Sequence, residues 1–556
     1  MKTLTREEIE NIETTNFIEA AIKQDMLEQG LDHIVTRFPP EPNGFPHIGH
    51  IKACNIDYSM KEKFGGYMNL RMDDTNPLKE NIEYENAIIE AMKWAGFKWS
   101  RICYASDYYE KMYECAVLLI KKGLAYVDDI DADTLSKYRG NLTTPGVESP
   151  SRNRSVEENL KMFQDMRDGK YQDGEVVLRA KIDMASPNMN MRDPTLYRVL
   201  RATHYRTGDK WCIYPMYDFA HPISDAIEGI THSMCDLEFE NHRPLYDWVV
   251  RECEFPNRPR QIEFSRLNIE GTVTGKRYLR KLIEDKLVSG WDDPRLPTVS
   301  GLRNRGVPSV ALIDFVKRIG VSKVDDAWIN PEVLDSSIRD ILNITATRAM
   351  VVMDPIKLTI TNYNIPDGEM LEFVDNPNDE NSATHWMKFG KDIYIEREDF
   401  MIDPPSKYHR LKPDGYVRLR GAYIVKCNDY ITDDDGNVVE VLCTYEPASR
   451  SGNDTSGIKV KGTIHWVNAD DCDDIYIQEL SSLVKPGVVF DGDWDIAFNP
   501  DSLRVVRAKA EKFILTRTKG THFQFVRKGY YYMTTQDGMI IFNSTASLKE
   551  GFKINK

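Results

Sequence analysis

Cysteine is sparse: nine in 556 residues, with no C-x-x-C spacing among them. Neither the common zinc frames nor a disulfide scaffold is indicated, and a reducing cytoplasm is the expected compartment. Long apolar runs are missing as well. None reaches membrane-spanning length, and the opening Met1-Lys2-Thr3-Leu4-Thr5-Arg6-Glu7-Glu8 lacks the pattern of a signal peptide. There is no excess of positive charge, since 72 Lys and Arg against 87 Asp and Glu leave a net charge of −15. That balance argues against a protein that coats nucleic acid non-specifically, although a local basic surface depends on where the cations sit. What remains is ordinary soluble-protein chemistry, 41% hydrophobic and 29% charged. The chain is too long for one core, and about three to five domains are expected.

The most informative stretch is Arg37-Phe38-Pro39-Pro40-Glu41-Pro42-Asn43-Gly44-Phe45-Pro46-His47-Ile48-Gly49-His50. His33 to Phe38 reads as a buried strand, and the four prolines with Gly44 as a rigid turn. The spacing of Ile48, Ile51, Ala53 and Ile56 predicts a helix beginning at His47. A strand, a tight turn and a helix N-terminus form an anion cradle, because free backbone N–H groups and the helix dipole point at the ligand. His47 and His50 share one face of the first turn, where neutral imidazoles can donate hydrogen bonds to a phosphate in a transition state. The same H-x-x-H spacing also suits half of a metal site or a capping pair. Further on, the alternation from Gly66 to Pro77 predicts a second strand with Asp73 and Asp74 at its carboxyl end. Parallel open sheets hold ligands at that end, so a carboxylate there suits a substrate ammonium, or simply caps a turn.

The run R-F-P-P-E-P-N-G followed by H-I-G-H resembles the first signature motif of class I aminoacyl-tRNA synthetases, in the glutaminyl/glutamyl group. The resemblance extends over nearly the whole chain and implies a multidomain α/β plus β architecture. It puts a Rossmann-type catalytic domain at 1–108 and 212–277, an insertion that binds the tRNA acceptor end at 109–211, and a helical subdomain contacting the tRNA stem at 278–345. Two anticodon-binding β-barrels follow, a proximal one at 346–394 and 481–556 and a distal one inserted in it at 395–480. An amphipathic segment at about residues 6–30 is expected to pack on the catalytic domain.

The family's chemistry implies His47, His50 and Lys276 as catalytic residues. The same three would bind ATP together with Glu41, Pro42, Asn43, Ile48, Gly49, Ile51, Lys52, Ala53, Asp236, Arg266, Leu267, Thr274 and Gly275, and Mg2+ would arrive with the nucleotide. Arg37, Asp73, Tyr217 and Cys235 would bind the amino acid, Asp73 at its ammonium and Tyr217 over its amide. Relatives that charge glutamate carry an arginine where Cys235 stands. A γ-carboxylate wants a guanidinium partner and a neutral amide does not, so Cys235 points to glutamine. The second signature motif of the class, K-M-S-K-S, corresponds to Val273-Thr274-Gly275-Lys276-Arg277. Valine and arginine at its ends are usual in the glutaminyl branch, whereas Thr274 and Gly275 depart from methionine and serine. Gly275 is expected to keep this loop mobile at the loss of a phosphate-binding hydroxyl. Lys276, retained, would neutralise charge on the ATP phosphates.

For the tRNA, Leu142 matches a loop leucine that wedges open the first acceptor base pair; an ordinary packed loop is the other reading. Lys317 and Arg318 fall where the family places the inner elbow of the tRNA, and Arg348, Arg410, Arg418, Arg420, Gln524 and Arg527 match its anticodon readers. Arg418 and Arg420 are expected on one strand face, with Val417–Arg420 and Val438–Tyr445 flanking a turn at Asp433–Asn437. Asn241 and His409 depart from residues common in the branch. The expected partners are L-glutamine, ATP and glutamine tRNA, with neither DNA nor membrane, for a monomeric cytoplasmic enzyme. Two alternatives stay open: a glutamate-charging relative, opposed by Cys235 and the barrels, and a non-catalytic tRNA-binding paralogue, opposed by His47, His50 and Lys276.

Overall fold

A computed structural model of the protein describes residues 2–324 and 327–548. Residues 549–556, which end the expected proximal-barrel range, lie outside it. The chain divides into two compact units, Met1–Asn268 with Val316–Ile329, and Ile269–Phe315 with Asn330–Lys556.

The first unit is built on parallel strands. Ile34–Phe38, buried along its whole length, pairs with Gly66–Met72, which in turn pairs with Ile102–Tyr104. His232–Asp236 and Arg260–Phe264 form a second parallel pair. Thr231 sets that pair beside the first strand: Val35 N–H donates to Thr231 Oγ1 at 2.9 Å, and Thr231 N–H to the Val35 carbonyl at 3.0 Å. Strand order therefore reverses between Ile34–Phe38 and His232–Asp236, and such a switch point opens a crevice at the carboxyl ends of the strands. The N-terminal segment forms two helices, Arg6–Glu10 and Phe17–Gln29, each with its own polar N-cap, Thr5 and Asn16. Ile18, Ile22 and Met26 of the longer one pack with Ile34 and Phe264 of the parallel strands and with Ile56 of the helix Ile48–Phe64.

Between the two parallel halves, Ala125–Asp128, Val177–Ala180, Thr195–Val199 and Ile213–Pro215 form an antiparallel sheet. The expected return to the catalytic layer at 212 comes slightly early. Ile213–Pro215 still pairs with Tyr197–Val199, and the second half opens with the helix Tyr217–Glu228.

In the second unit, helices at Lys276–Glu284, Val299–Arg305 and Glu332–Thr345 precede two seven-stranded sheets. One sheet has Thr347–Ala349 and Val351–Val352 as its two edges, and Met350 alone separates them in the chain. The other has Thr463–Ile464 and Val467–Asn468 as edges, separated only by His465 and Trp466. Edges that close in sequence force each sheet to curl back on itself, which makes both of them barrels and removes exposed edges. The exchange between barrels differs from the expected 395–480. Pro355–Ile360 and Asp392–Glu396 complete the distal barrel, the first by pairing in parallel with Val438–Glu446, while Cys472–Leu480 belongs to the proximal barrel. A parallel pairing across 80 residues leaves no local mark in the sequence. The hairpin at Asp433–Asn437 also joins different strands from those expected. Ile424–Thr432 faces Val438–Glu446 across the turn, and Tyr416–Leu419 lies on the far side of Ile424–Thr432.

Candidate functional site

His47 is the N-cap of the helix Ile48–Phe64, which follows the proline-rich turn. Its Nδ1 accepts the N–H of Gly49 at 3.1 Å, and Nδ1 of His50 accepts the N–H of His47 at 3.2 Å. The pair is thus a capping pair, and the capping has a chemical consequence. Only an unprotonated nitrogen accepts, so each neutral ring carries its proton on Nε2 and offers that N–H as its donor. The rings lie 4.1 Å apart, and a Cβ on Gly49 would stand 2.8 Å from Cε1 of His47. Glycine at this position makes room for the His47 ring. The turn is fastened to the segment that follows the next strand through Asp73 N–H to the Pro40 carbonyl at 3.0 Å and Asn81 N–H to the Pro42 carbonyl at 3.2 Å.

Among the other expected nucleotide residues, Pro42, Ile48 and Ile51 are buried, Glu41 is exposed, and Asn43, Gly49 and Ala53 are half-buried. Lys52 is buried, and its ammonium donates to the carbonyls of Ser265 and Arg266, the latter at 3.4 Å. It holds the backbone ahead of Leu267 in place, with Arg266 exposed and Leu267 buried. Asp236 ends its strand nearby with a pKa pushed up to about 6, because burial and Glu238 outweigh Lys52 and Arg266.

The second signature motif lies in the other unit. Gly275 is the N-cap of the helix Lys276–Glu284 at φ −64, a conformation open to any residue. Gly275 therefore needs no conformation reserved for glycine. The missing side chain is a matter of packing, since a Cβ on Gly275 would stand 2.9 Å from Cδ2 of Tyr278. Tyr278 is itself anchored, its carbonyl accepting Trp494 Nε1–H at 2.9 Å and its ring meeting Phe490 edge-on. Lys276 is the first residue of that helix, where backbone N–H groups and the positive dipole end add to its own charge.

The expected amino-acid pocket gathers at the carboxyl ends of the strands. Tyr217 stacks on His221, with centroids 5.0 Å apart and planes 17° apart, and also meets Phe239. Cys235 is half-buried, and burial pushes its thiol well above the ordinary range, so it stays neutral. Its register partner on the adjacent strand is Glu263, whose carboxylate takes Gln261 Nε2–H at 3.1 Å and pairs with Arg243 at 3.2 Å. Asp73 is buried with a pKa raised to about 7, chiefly by burial and then by Glu41; Arg71 works the other way. Asp74, raised similarly by burial, accepts Ser106 N–H at 2.8 Å and Ser106 Oγ–H at 2.6 Å. Asp74 is thus spent on structure.

Arg37 departs from its expected role of touching the amino acid. Its side chain is 0% exposed and is consumed by Asp225 Oδ1 at 2.9 Å, the Met234 carbonyl at 2.8 Å and Ser233 Oγ at 2.7 Å. Arg71, on the same sheet face, bonds Asp225 at 2.7 Å and Glu228 at 3.2 Å. The two guanidiniums approach opposite nitrogens of His221, at 2.9 and 3.2 Å. A neutral imidazole has one acceptor nitrogen, so only one approach is a hydrogen bond. Burial holds the His221 pKa down to about 3 against the pull of Asp225. His221 thus lies between Arg37 and the Tyr217 ring, in contact with both. Sequence reasoning missed this network, although Asn69, Arg71 and Asp73 alternate along a strand otherwise made of Met68, Leu70 and Met72. Polar side chains on one face of a buried strand must find partners.

Leu142 is 83% exposed, on a loop that is held in shape. Nη1 of the buried Arg192 lies 2.9 to 3.0 Å from the carbonyls of Arg139, Asn141 and Thr144, and Asn141 Oδ1 accepts the N–H groups of Thr143 and Thr144 at 2.9 Å. Ordinary loop packing does not describe this leucine. Lys317 and Arg318 are exposed in the last turn of the helix Ser309–Ile319. The expected anticodon readers separate into groups. Arg348 and Gln524 are register partners, and Arg348 is mostly buried, bonded to the carbonyls of Asn343 and Ala346. Together with Arg420 it lines a cavity of about 280 Å³. Arg410 and Arg527 converge on Asp399, the latter through two bonds of 2.7 Å. Arg418 is tied to the Ser449 carbonyl at 2.7 Å and to Asp454. Arg420 lies just past the end of that strand, so Arg418 and Arg420 do not share its face.

The parallel layer with its switch point, the capped His pair and the paired barrels define a class, and comparison with known proteins agrees. Residues 33–344 match the catalytic domain of class I (E and Q) tRNA synthetases, and residues 346–446 and 463–534 match the group's anticodon-binding domains. The chain belongs to this family of class I tRNA synthetases. More narrowly, it is 50% identical to a glutamine–tRNA ligase from Clostridium kluyveri over 98% of this chain and 99% of that one. It is 48% identical to a glutamine–tRNA ligase from Rhodopirellula baltica, over 97% and 91% of the two chains, and 46% identical to one from Vibrio cholerae, over 97% and 98%.

Proposed function

We propose that this protein is a glutamine–tRNA ligase. It activates L-glutamine with ATP to glutaminyl-adenylate, releases pyrophosphate, and transfers the glutaminyl group to the 2′-hydroxyl of the terminal adenosine of glutamine tRNA. Near full-length similarity to glutamine–tRNA ligases carries the reading. The neutral Cys235 thiol supports glutamine over glutamate, because it stands where a γ-carboxylate would want a guanidinium partner.

Positioning and charge stabilisation supply the catalysis. The Nε2–H groups of His47 and His50 donate to the nucleotide phosphates, and Lys276 contributes its charge. Asp73 receives the substrate ammonium, and Tyr217, backed by His221, covers the amide. Magnesium enters as part of the ATP substrate. Leu142 works on the acceptor end, and the barrel arginines on the anticodon loop. The protein acts as a cytoplasmic monomer; among the described residues no helix is long and apolar enough to cross a membrane.

Glutamine-dependent pyrophosphate exchange in the presence of glutamine tRNA tests the reading. Exchange is expected in the wild type and a loss of about 10²–10³ in His47→Ala, the usual cost of one preorganised donor. No exchange in the wild type, or full exchange in a folded variant, would overturn the assignment of function or of His47 respectively.

A further inference from the structure

Phe373 and His385 are cross-strand partners in the hairpin of Glu369–Val374 and Thr384–Phe389, which the chain inserts between two strands of the distal barrel. The His385 ring stacks on Phe513, with centroids 3.9 Å apart and planes 10° apart, and lies nearly parallel to Phe373 at 5.9 Å. The Arg517 guanidinium covers the outer face of the stack, 4.6 Å from Phe513. In the ring plane, Nδ1 meets Asp375 Oδ1 at 2.7 Å and Nε2 meets Glu511 Oε2 at 3.1 Å. Asp375 in turn pairs with Arg517 at 2.6 Å. His385, Asp375 and Glu511 are all buried. Phe513 and Glu511 belong to the proximal barrel and its following turn, so this stack is a rivet between barrels. Burial opposes a charged ring, but Glu511 and Asp375 outweigh it and raise the imidazole pKa.

The hairpin also touches two of the arginines matched to anticodon reading. The N–H of Arg348 donates to the Asp375 carbonyl at 2.6 Å. On the other side, Gly421 has φ +67, and a Cβ there would stand 2.1 Å from Cε1 of Phe373. The chain at Arg420-Gly421 therefore rests directly on the hairpin's aromatic face. Arg348, Arg420, Phe373, His385 and Glu511 all line the 280 Å³ cavity.

We propose that His385 is a positioning residue for tRNA recognition: ion-paired to Asp375 and Glu511 and stacked against Phe373 and Phe513, it sets the spacing of Arg348 and Arg420 across that cavity. The inference rests on the proposed charging of glutamine tRNA. His385 touches no substrate; it holds the two arginines in place on the walls of the cavity, and its loss loosens them without altering the adenylate chemistry.

The test is steady-state charging of glutamine tRNA by the full-length wild type, His385→Ala and His385→Arg, which keeps a planar cation. His385→Ala is expected to raise KM for tRNA about tenfold with kcat and the glutamine KM within about twofold, the signature of lost uniform binding. His385→Arg is expected to recover most of the loss, which a purely space-filling role would not give. Gly421→Ala, which displaces Phe373 from the opposite end, gives the same split if His385→Ala misfolds. An unchanged tRNA KM in folded His385→Ala or Gly421→Ala, a fall confined to kcat, or no recovery in His385→Arg would overturn the inference alone. A wild type that charges no glutamine tRNA would overturn the reading beneath it and the inference together.

Discussion

At the residue scale, Arg37 shows how a motif names a position without saying what it touches. The first signature motif makes it a pocket residue, yet its side chain is fully buried against Asp225, Ser233 and His221. Breaking a buried ion pair leaves an uncompensated charge, which typically costs about 3–5 kcal/mol. Arg37→Ala is therefore expected to lower thermal stability sharply, and a variant of wild-type stability with only a raised glutamine KM would contradict this account. Asp73 makes the opposite case, since its place at a strand end was legible and its protonation was not. Burial raises its pKa to about 7, above an ordinary carboxyl near 4. The sign follows from linkage. The stability contributed by the protonated form is full below the unfolded pKa and is lost as pH rises through about 7. Glutamine, whose ammonium needs the carboxylate, reverses that loss. The KM for glutamine is expected to fall as pH rises from 6 to 8, and Asp73→Asn to raise KM and remove the trend. A flat KM profile in the wild type would exclude Asp73 as the ammonium partner.

At the scale of elements, the strand–turn–helix at Arg37–His50 was readable because prolines and hydrophobic periodicity are local signals. The Leu142 loop was readable only as a resemblance. Its rigidity comes from Arg192, fifty residues on, whose guanidinium gathers three carbonyls of the loop. Two variants separate the roles. Leu142→Ala is expected to leave thermal stability unchanged, because an 83% exposed side chain packs against little, and to lower kcat/KM for tRNA about tenfold. Arg192→Ala is expected to lower both, since it leaves carbonyls without their donor. Wild-type charging by Leu142→Ala would mean that the exposed leucine does no work on the acceptor end. At Gly275 the neighbouring Tyr278 ring occupies the space that a side chain would take.

At the scale of the whole molecule, the alternation of helix and strand followed by strands alone announced a catalytic layer and barrels. The assignment of strands to barrels was not legible. Pro355–Ile360 joins the distal barrel through a parallel partner some 80 residues away, and only the closed sheets reveal that the exchange falls near 355 and 468. The choice of amino acid, by contrast, is read in the sequence from one residue, Cys235, because the two candidate substrates differ in charge. Glutamine and glutamate are nearly isosteric, so discrimination must come from charge and hydrogen bonding. The measurement that tests this most directly is charging of one glutamine tRNA with labelled glutamine and labelled glutamate in parallel, by the wild type and by Cys235→Arg. The wild type is expected to prefer glutamine strongly, and folded Cys235→Arg to shift the ratio of the two kcat/KM values toward glutamate. Preferential glutamate charging by the wild type would contradict the assignment, and an unchanged ratio in the variant would remove Cys235 from the selection of substrate.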